Sequence, residues 1–234
     1  MSTTFESIVI LTGAGISAES GINTFRDTGG LWETHSIYDV ATPEGFARNP
    51  DMVLRFYDER RSGLDKVEPN PAHTALARLE AQFKGKLLLV TQNVDDLHER
   101  GGFQDVLHMH GELKSVLCSS CGTRSRWEGT LSERPPCPVC QAPTLRPDVV
   151  WFGEMPYQMR RIEEALATCD LFVSIGTSGA VYPAAGFVAQ AKAMGARTLE
   201  LNLEPSEGTG IFHEARHGPA SQLVPQWVDE VLGV

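Results

Sequence analysis

Four cysteines carry the most specific chemical signal in the chain. Cys118-x2-Cys121 is followed, after 15 intervening residues, by Cys137-x2-Cys140. Two such knuckles can supply four thiolates to one tetrahedral zinc ion, and a sphere filled by sulfur leaves no position for water or substrate. One structural zinc per chain is therefore expected. Four unrelated reduced cysteines are the alternative. A redox Cys-x-x-Cys fits less well, because neither pair lies in a thioredoxin-like βαβ context. Cys169, apart from these pairs, is expected as a small buried hydrophobe.

A second group of residues suits a nucleotide. Gly13-Ala14-Gly15-Ile16-Ser17-Ala18 follows an apolar run and enters a helical one. There, glycine permits a tight turn and close backbone approach to a pyrophosphate. A dinucleotide-binding turn and a ligand-free glycine turn fit this hexapeptide equally well. Further polar residues sit where strands should end: Gln92, Asn93 and Asp95 in TQNVDDLH, Gly176-Thr177-Ser178, and Asn202 with Glu204 in LNLE. In a doubly wound sheet the carboxyl ends of the strands line the ligand crevice, so these groups can converge on one dinucleotide. Taken singly, Asn93 or Ser178 reads as a turn former or helix cap. His110, just past DVLHM and before Gly111, is the best placed general base, since imidazole exchanges protons near neutrality. His108 lies two residues earlier, and sequence position separates the two poorly. Structural or surface roles are expected for His35, His73, His98, His213 and His217.

The elements that must position these groups are short β-rich runs alternating with helical stretches: residues 7–13 (SIVILTG), 86–92 (KLLLVTQ), 170–177 (DLFVSIGT) and 197–203 (RTLELNL). Runs apolar on both faces suit a parallel sheet covered by helices, and the fold expected is an α/β, Rossmann-like, doubly wound sheet. Asn70-Pro71 and Tyr182-Pro183 read as helix starts. A last helix from about Ala220 carries Leu223, Trp227, Val228 and Val231 on one face. Residues 30–68 are helical in pattern, and 118–140 are rich in Ser, Gly, Pro and Arg. The chain thus reads as one α/β domain with a smaller inserted module. Its large part spans about 1–30, 84–114 and 145–234, and a small module comprises a helical piece, about 31–83, and a zinc piece, about 115–144.

The 234 residues, 41% hydrophobic and 21% charged, suffice for one sizeable core. A formal charge of -10 argues against a nucleic-acid partner, because phosphate affinity comes from Lys and Arg, and favours cationic protein segments. With no basic leader and only a brief apolar stretch near the start, a cytoplasmic protein without membrane attachment is expected, as a monomer.

Over essentially its whole length the sequence resembles the sirtuins, on GAGISAESGINTFR (13–26), TQNVDDLH (91–98), HGE (110–112), the four cysteines, VVWFGE (149–154), GTS (176–178) and NLE (202–204). It is most similar to the bacterial CobB-like, class III branch. The resemblance implies a Rossmann domain and a zinc-plus-helical module, with NAD and acyl-lysine entering the cleft between them. It also implies that NAD is consumed: the acyl oxygen attacks the ribose C1′, nicotinamide departs, and the products are free lysine and O-acyl-ADP-ribose. His110 would be the proton acceptor for a ribose hydroxyl. Asn93 and Asp95 would hold the nicotinamide and ribose, and Ser17, Phe25 and Arg26 would order the loop above them. Gly13, Ala14, Gly15, Gln92, Gly176, Thr177, Ser178, Asn202, Glu204 and Ala220 complete the implied cofactor set.

In VVWFGE, Val150, Phe152 and Gly153 resemble a segment that takes the substrate backbone as an added strand. Tyr57 and Arg60, three apart in RFYDERR and so on one helix face, match a class III pair that recognises acyl chains ending in carboxylate, such as succinyl or malonyl. Without the family context they read as a core aromatic and a solvated arginine. The chain departs from some class III members by having Thr28 where a small alanine would widen the pocket, so short acyl groups such as acetyl are expected to remain substrates. ADP-ribosyl transfer to protein and a catalytically silent NAD-binding sensor are the rival functions; the retained His110, Asn93 and Asp95 speak against the second.

Overall fold

The computed structural model describes residues 5–22 and 36–234. The apolar runs pair as one six-stranded parallel sheet: β1 (Ser7–Thr12), β2 (Lys86–Thr91), β3 (Val106–His108), β7 (Leu171–Ile175), β8 (Arg197–Asn202) and β9 (Glu214–His217). The order is β3-β2-β1-β7-β8-β9, so the winding reverses between β1 and β7. Alternation along each strand feeds two cores. Ile8 and Ile10 of β1 join Val173 of β7 on one face, against the helices Pro71–Gln82 and Ala220–Leu232 through Leu76, Leu79, Val224 and Trp227. Val9, Leu11 and Phe172 point the other way, against Ile162 and Leu166 of the helix Met159–Leu166 and Val188 of Phe187–Ala193. The start of β1 is tied to the start of β7 by Asp170, whose Oδ2 accepts from the main-chain N–H of Glu6 and Ser7 at 2.8 and 2.9 Å.

The remaining strands, β4 (Gly111–Cys118), β5 (Arg124–Arg126) and β6 (Leu145–Val149), form a separate antiparallel sheet in the order β5-β4-β6. The helix Pro50–Gly63 lies against it, burying Leu54 with Val116, Cys118, Leu131, Cys137 and Leu145. Asp58 and Arg61 fasten that helix to the cysteine segment. Asp58 accepts from the N–H groups of Leu131 and Ser132, while Arg61 donates to Asp58 and to the carbonyls of Leu113 and Gly129. Helix starts are strongly encoded: Thr42, Asn49 and Asn70 each cap a helix whose next residue is proline. A capping side chain satisfies an orphan N–H there, and proline lacks one that would need satisfying.

Three expectations need revision. The helix Pro71–Gln82, placed by sequence in a small module spanning 31–83, packs on the large sheet, because its buried face of Ala72, Ala75, Leu76 and Leu79 matches the face offered by β1 and the last helix. The boundaries drawn at 114/115 and 144/145 cut a continuous sheet, since β4 pairs with β6 from Gly111↔Val149 to Cys118↔Leu145. At Tyr182-Pro183 the peptide bond is cis and Pro183 precedes a 3-10 turn, Ala184–Gly186, with the α-helix starting only at Phe187.

Candidate functional site at the sheet switch point

The crevice opens where β1 and β7 part. Gly13 N–H donates to the Ile175 carbonyl at 3.0 Å, and Gly15 N–H donates to Gly176 at 2.8 Å. A Cβ on Gly15 would lie 2.8 Å from Gly176 Cα, and one on Gly176, whose φ is +63°, would lie 2.4 Å from Ile16 N. These glycines are therefore required by contact between two main chains, not only by the approach of a ligand. The N–H groups of Gly13 and Gly15 are thus spent within the protein, and polar side chains surround them.

Those side chains form one buried cluster. Asn93 Nδ2 donates to Gly13 O at 3.1 Å and to Ser17 Oγ at 3.2 Å, and Ser17 Oγ donates to Asp95 Oδ2 at 3.1 Å. Burial raises the Asp95 pKa against the opposing hydrogen bonds from Leu97 N–H and Ser17. His73 Nε2 stands 3.4 Å from Ser17 Oγ, and His98 Nε2 is 3.0 Å from Thr12 Oγ1. Burial depresses both imidazoles, that of His73 to about 4. His73 and His98, expected in structural or surface roles, are thus buried neutral groups against the site. The signal that placed His73 was available in Asn70-Pro71: its side chain completes the capping box of that helix.

His110 and His108 are separated by their partners. His110 Nδ1 faces the Gln92 carbonyl at 3.2 Å, an atom that can only accept, so the ring proton sits on Nδ1 and Nε2 presents a lone pair. Burial lowers its pKa, opposed by that bond. His108 is engaged at both nitrogens, with Nδ1 on Asn93 O at 3.1 Å and Nε2 on Glu99 Oε1 at 2.6 Å. Burial disfavours its charged form, but the Glu99 carboxylate outweighs it and raises the pKa. Neither His108 nitrogen is left to accept a proton.

Tyr57 and Arg60 come from the helix Pro50–Gly63. Tyr57 is 1% exposed, and burial raises its phenol pKa despite the Arg60 charge. Arg60 is half-buried, with its guanidinium 5.7 Å from the Phe56 ring centre and within electrostatic reach of Asp95. Arg60 therefore links the Tyr57 face of this helix to the Asp95 end of the polar cluster.

The four cysteine sulfurs lie within 4.8 Å of one another, with Cys118 and Cys140 3.6 Å apart and Cys121 and Cys137 3.8 Å apart. A tetrahedron with Zn–S bonds of about 2.3 Å separates its sulfurs by about 3.8 Å, so the donor set fits zinc. Each knuckle closes on a left-handed residue, Gly122 (φ 73°) and Gln141 (φ 62°), whose N–H groups return to Cys118 O and Cys137 O. Zinc bound there would hold the β5 end of the smaller sheet together.

Comparison with known proteins decides the family: the Sir2 family profile matches residues 13–183. The chain belongs to the Sir2 family. It is 57% identical over 229 residues to the NAD-dependent protein deacylase of Pasteurella multocida (96% of this chain, 97% of that one). It is 56% identical over 231 residues to the NAD-dependent protein deacylase SIR2rp3 of Leishmania major (96% and 95%). A Sir2 homolog–NAD complex superposes with a TM-score of 0.89 at 38% identity, covering 97% of this chain and 90% of that one, and a Sir2–p53 peptide–NAD+ structure with 0.83 at 28% identity, covering 97% and 93%.

Within this Sir2 chain the expected site residues divide by location. Gly13, Ala14, Gly15, Ser17, Asn93, Asp95 and His110 gather at the ends of β1, β2 and β3, with Gln92 contributing its carbonyl to His110. Thr177 and Asn202 meet across β7 and β8, with Asn202 Nδ2 donating to Thr177 O at 2.8 Å. Ser178 and Glu204 are exposed, and Ala220 opens the last helix beside Ser221, which binds Glu19. Val150 N–H donates to His110 O, and Phe152 N–H to Ala41 O, so the 150–153 turn lies against the base. Gly153 takes φ +91° there, and Phe152 is 47% exposed. Phe25, Arg26 and Thr28 lie outside the described residues. Among the described residues no helix is long and apolar enough to cross a membrane.

Two outcomes are expected. Metal analysis should return about one zinc per chain, and chelation should remove the antiparallel sheet's circular-dichroism signature together with activity; a folded, active protein free of metal would contradict this. His73, at about 4 instead of 6.5, binds its proton more weakly folded than unfolded. Its contribution to stability is therefore full above pH 6.5 and declines as pH falls toward 4, by about 3 kcal/mol in total. Denaturant titrations across that window should show a shallower pH slope for His73→Gln than for the wild type.

Proposed function

We propose that the chain is an NAD-dependent protein-lysine deacylase that removes acetyl and acidic acyl groups, releasing nicotinamide and O-acyl-ADP-ribose. The observation that carries this is the His110 geometry: a proton-accepting Nε2 beside the Ser17–Asn93–Asp95 cluster, on the residue whose carbonyl also holds the 150–153 turn. The deacylase names of the relatives and the NAD and peptide complexes of the similar structures support it. NAD bound in the crevice supplies an electrophilic ribose carbon once nicotinamide departs.

The chain's own groups do the rest. Asn93 and Asp95, fixed by Ser17, orient the ribose and nicotinamide end. His110 takes a proton from a ribose hydroxyl, neutral before the transfer because burial disfavours its charged form. Thr177 and Asn202 face the remainder of the dinucleotide, and Val150, Phe152 and Gly153 receive the substrate main chain. Arg60 grips a terminal carboxylate of the acyl group, with the Tyr57 hydroxyl adding a further donor. Such an enzyme acts on acyl-lysine protein segments, as a cytoplasmic monomer.

His110→Tyr should lower deacylation by about 10²-fold or more while leaving the thermal midpoint near that of the wild type. Since His110 titrates below the ordinary histidine range, the wild-type kcat/KM should hold on the acid side of neutrality and fall only below pH 6.5. Near-normal turnover by the variant would remove the assignment. Arg60→Met should cost desuccinylation about 1.5–3 kcal/mol in transition-state binding and deacetylation far less, because an acetyl group has no carboxylate to lose. Equal losses in the two kcat/KM values would return Arg60 to a structural role.

A further inference from the structure

Tyr57 is held by a residue of another element. Trp151 Nε1 donates to the Tyr57 hydroxyl oxygen at 3.0 Å, joining side chains 94 positions apart that are 2% and 1% exposed. The indole is itself clamped. The Arg146 guanidinium lies over its ring at 3.9 Å, the Phe46 ring centre is 5.1 Å away, and Glu154 Oε2 accepts the Trp151 main-chain N–H at 2.9 Å. Arg146 and Glu154 form a two-pronged ion pair, both bonds 2.8 Å, so the charge stacked on the indole is compensated where it lies.

This arrangement sets the direction of the Tyr57 hydroxyl. A phenol oxygen that accepts an indole N–H retains its own O–H to donate, and indole can only donate, so the pair cannot reverse. Among the described residues none accepts from that O–H. A carboxylate accepts only; the methyl end of an acetyl group neither accepts nor donates.

We propose that Trp151 is a specificity-positioning residue: its indole N–H, clamped by the Arg146–Glu154 pair, fixes the Tyr57 hydroxyl as a donor toward the terminal carboxylate of an acidic acyl chain. The proposal rests on the assignment of Tyr57 and Arg60 to the acyl group. It joins two specificities, because Trp151 lies between Val150 and Phe152 in the turn assigned to the substrate main chain.

The test compares kcat/KM for succinyl-lysine and acetyl-lysine peptides of one sequence in the wild type, Trp151→Phe, Tyr57→Phe and the double variant. Trp151→Phe should lower the succinyl-to-acetyl ratio about three- to tenfold, the size of one hydrogen bond, chiefly by raising KM for the succinyl peptide. Tyr57→Phe should lower it at least as much, and the double variant no further than Tyr57→Phe alone. A ratio unmoved by Trp151→Phe but lowered by Tyr57→Phe overturns the proposal and leaves the acyl assignment standing. A ratio unmoved by either overturns both. Losses that multiply in the double variant also overturn it, since Trp151 would then act apart from Tyr57. Should Trp151→Phe fail to fold, 3-benzothienylalanine at position 151, with sulfur in place of the N–H, should reproduce the lowered ratio, and a wild-type ratio in that protein overturns the proposal.

Discussion

The contact between two turns of main chain, at Gly13–Gly15 and Gly176, is the constraint on which the site depends. The hydrogen bond from Gly15 to Gly176 and the absence of any Cβ there bring the ends of β1 and β7 closer than side chains would allow. Backbone pressed on backbone has no rotamer through which to relax. The two halves of the sheet therefore meet at a fixed distance, with the Ser17–Asn93–Asp95 cluster on one half and the Asn202–Thr177 bond on the other. Even a methyl group at position 15 or 176 would push these halves apart before it touched a ligand.

Around that contact, environment assigns each histidine its state. His73 and His98 are buried with hydroxyl neighbours and stay neutral, whereas His108 meets the Glu99 carboxylate and is favoured as a cation. His110 has one carbonyl to donate to and one nitrogen to spare. One residue type thus supplies buried neutral rings, a partner for a carboxylate and a ring with one nitrogen unengaged. His108 also acts on Asp95: burial raises the Asp95 pKa, and the positive charge His108 carries when protonated opposes that shift.

Much of this was legible in the sequence. Strand ends were marked by Gly13, Gln92, Gly176 and Asn202, and the four cysteines came together as their spacing requires. What escaped was set by tertiary packing. The helix Pro71–Gln82 carries an apolar face that periodicity detects, but periodicity does not say which core it enters. Likewise, β4 and β6 are antiparallel partners whose closing register comes from contact, so module boundaries read from composition fell inside their sheet. The different partners of His108 and His110, the Glu99 carboxylate for one and a single carbonyl of Gln92 for the other, are not announced by adjacent residues.

The order of the strands also bears on how the polypeptide emerges from the ribosome. β1 is central to the sheet, yet its partner β7 follows Asp170, 164 residues after Glu6. At about 5–20 residues per second, translation of that interval takes roughly 8–30 s. For that time one edge of β1, with Val9 and Leu11 uncovered, offers unpaired N–H and C=O groups to any other strand. Nascent chains of this topology therefore have a built-in interval of vulnerability, longest for the strand that carries the glycine turn, during which a ribosome-bound chaperone would have the most to protect.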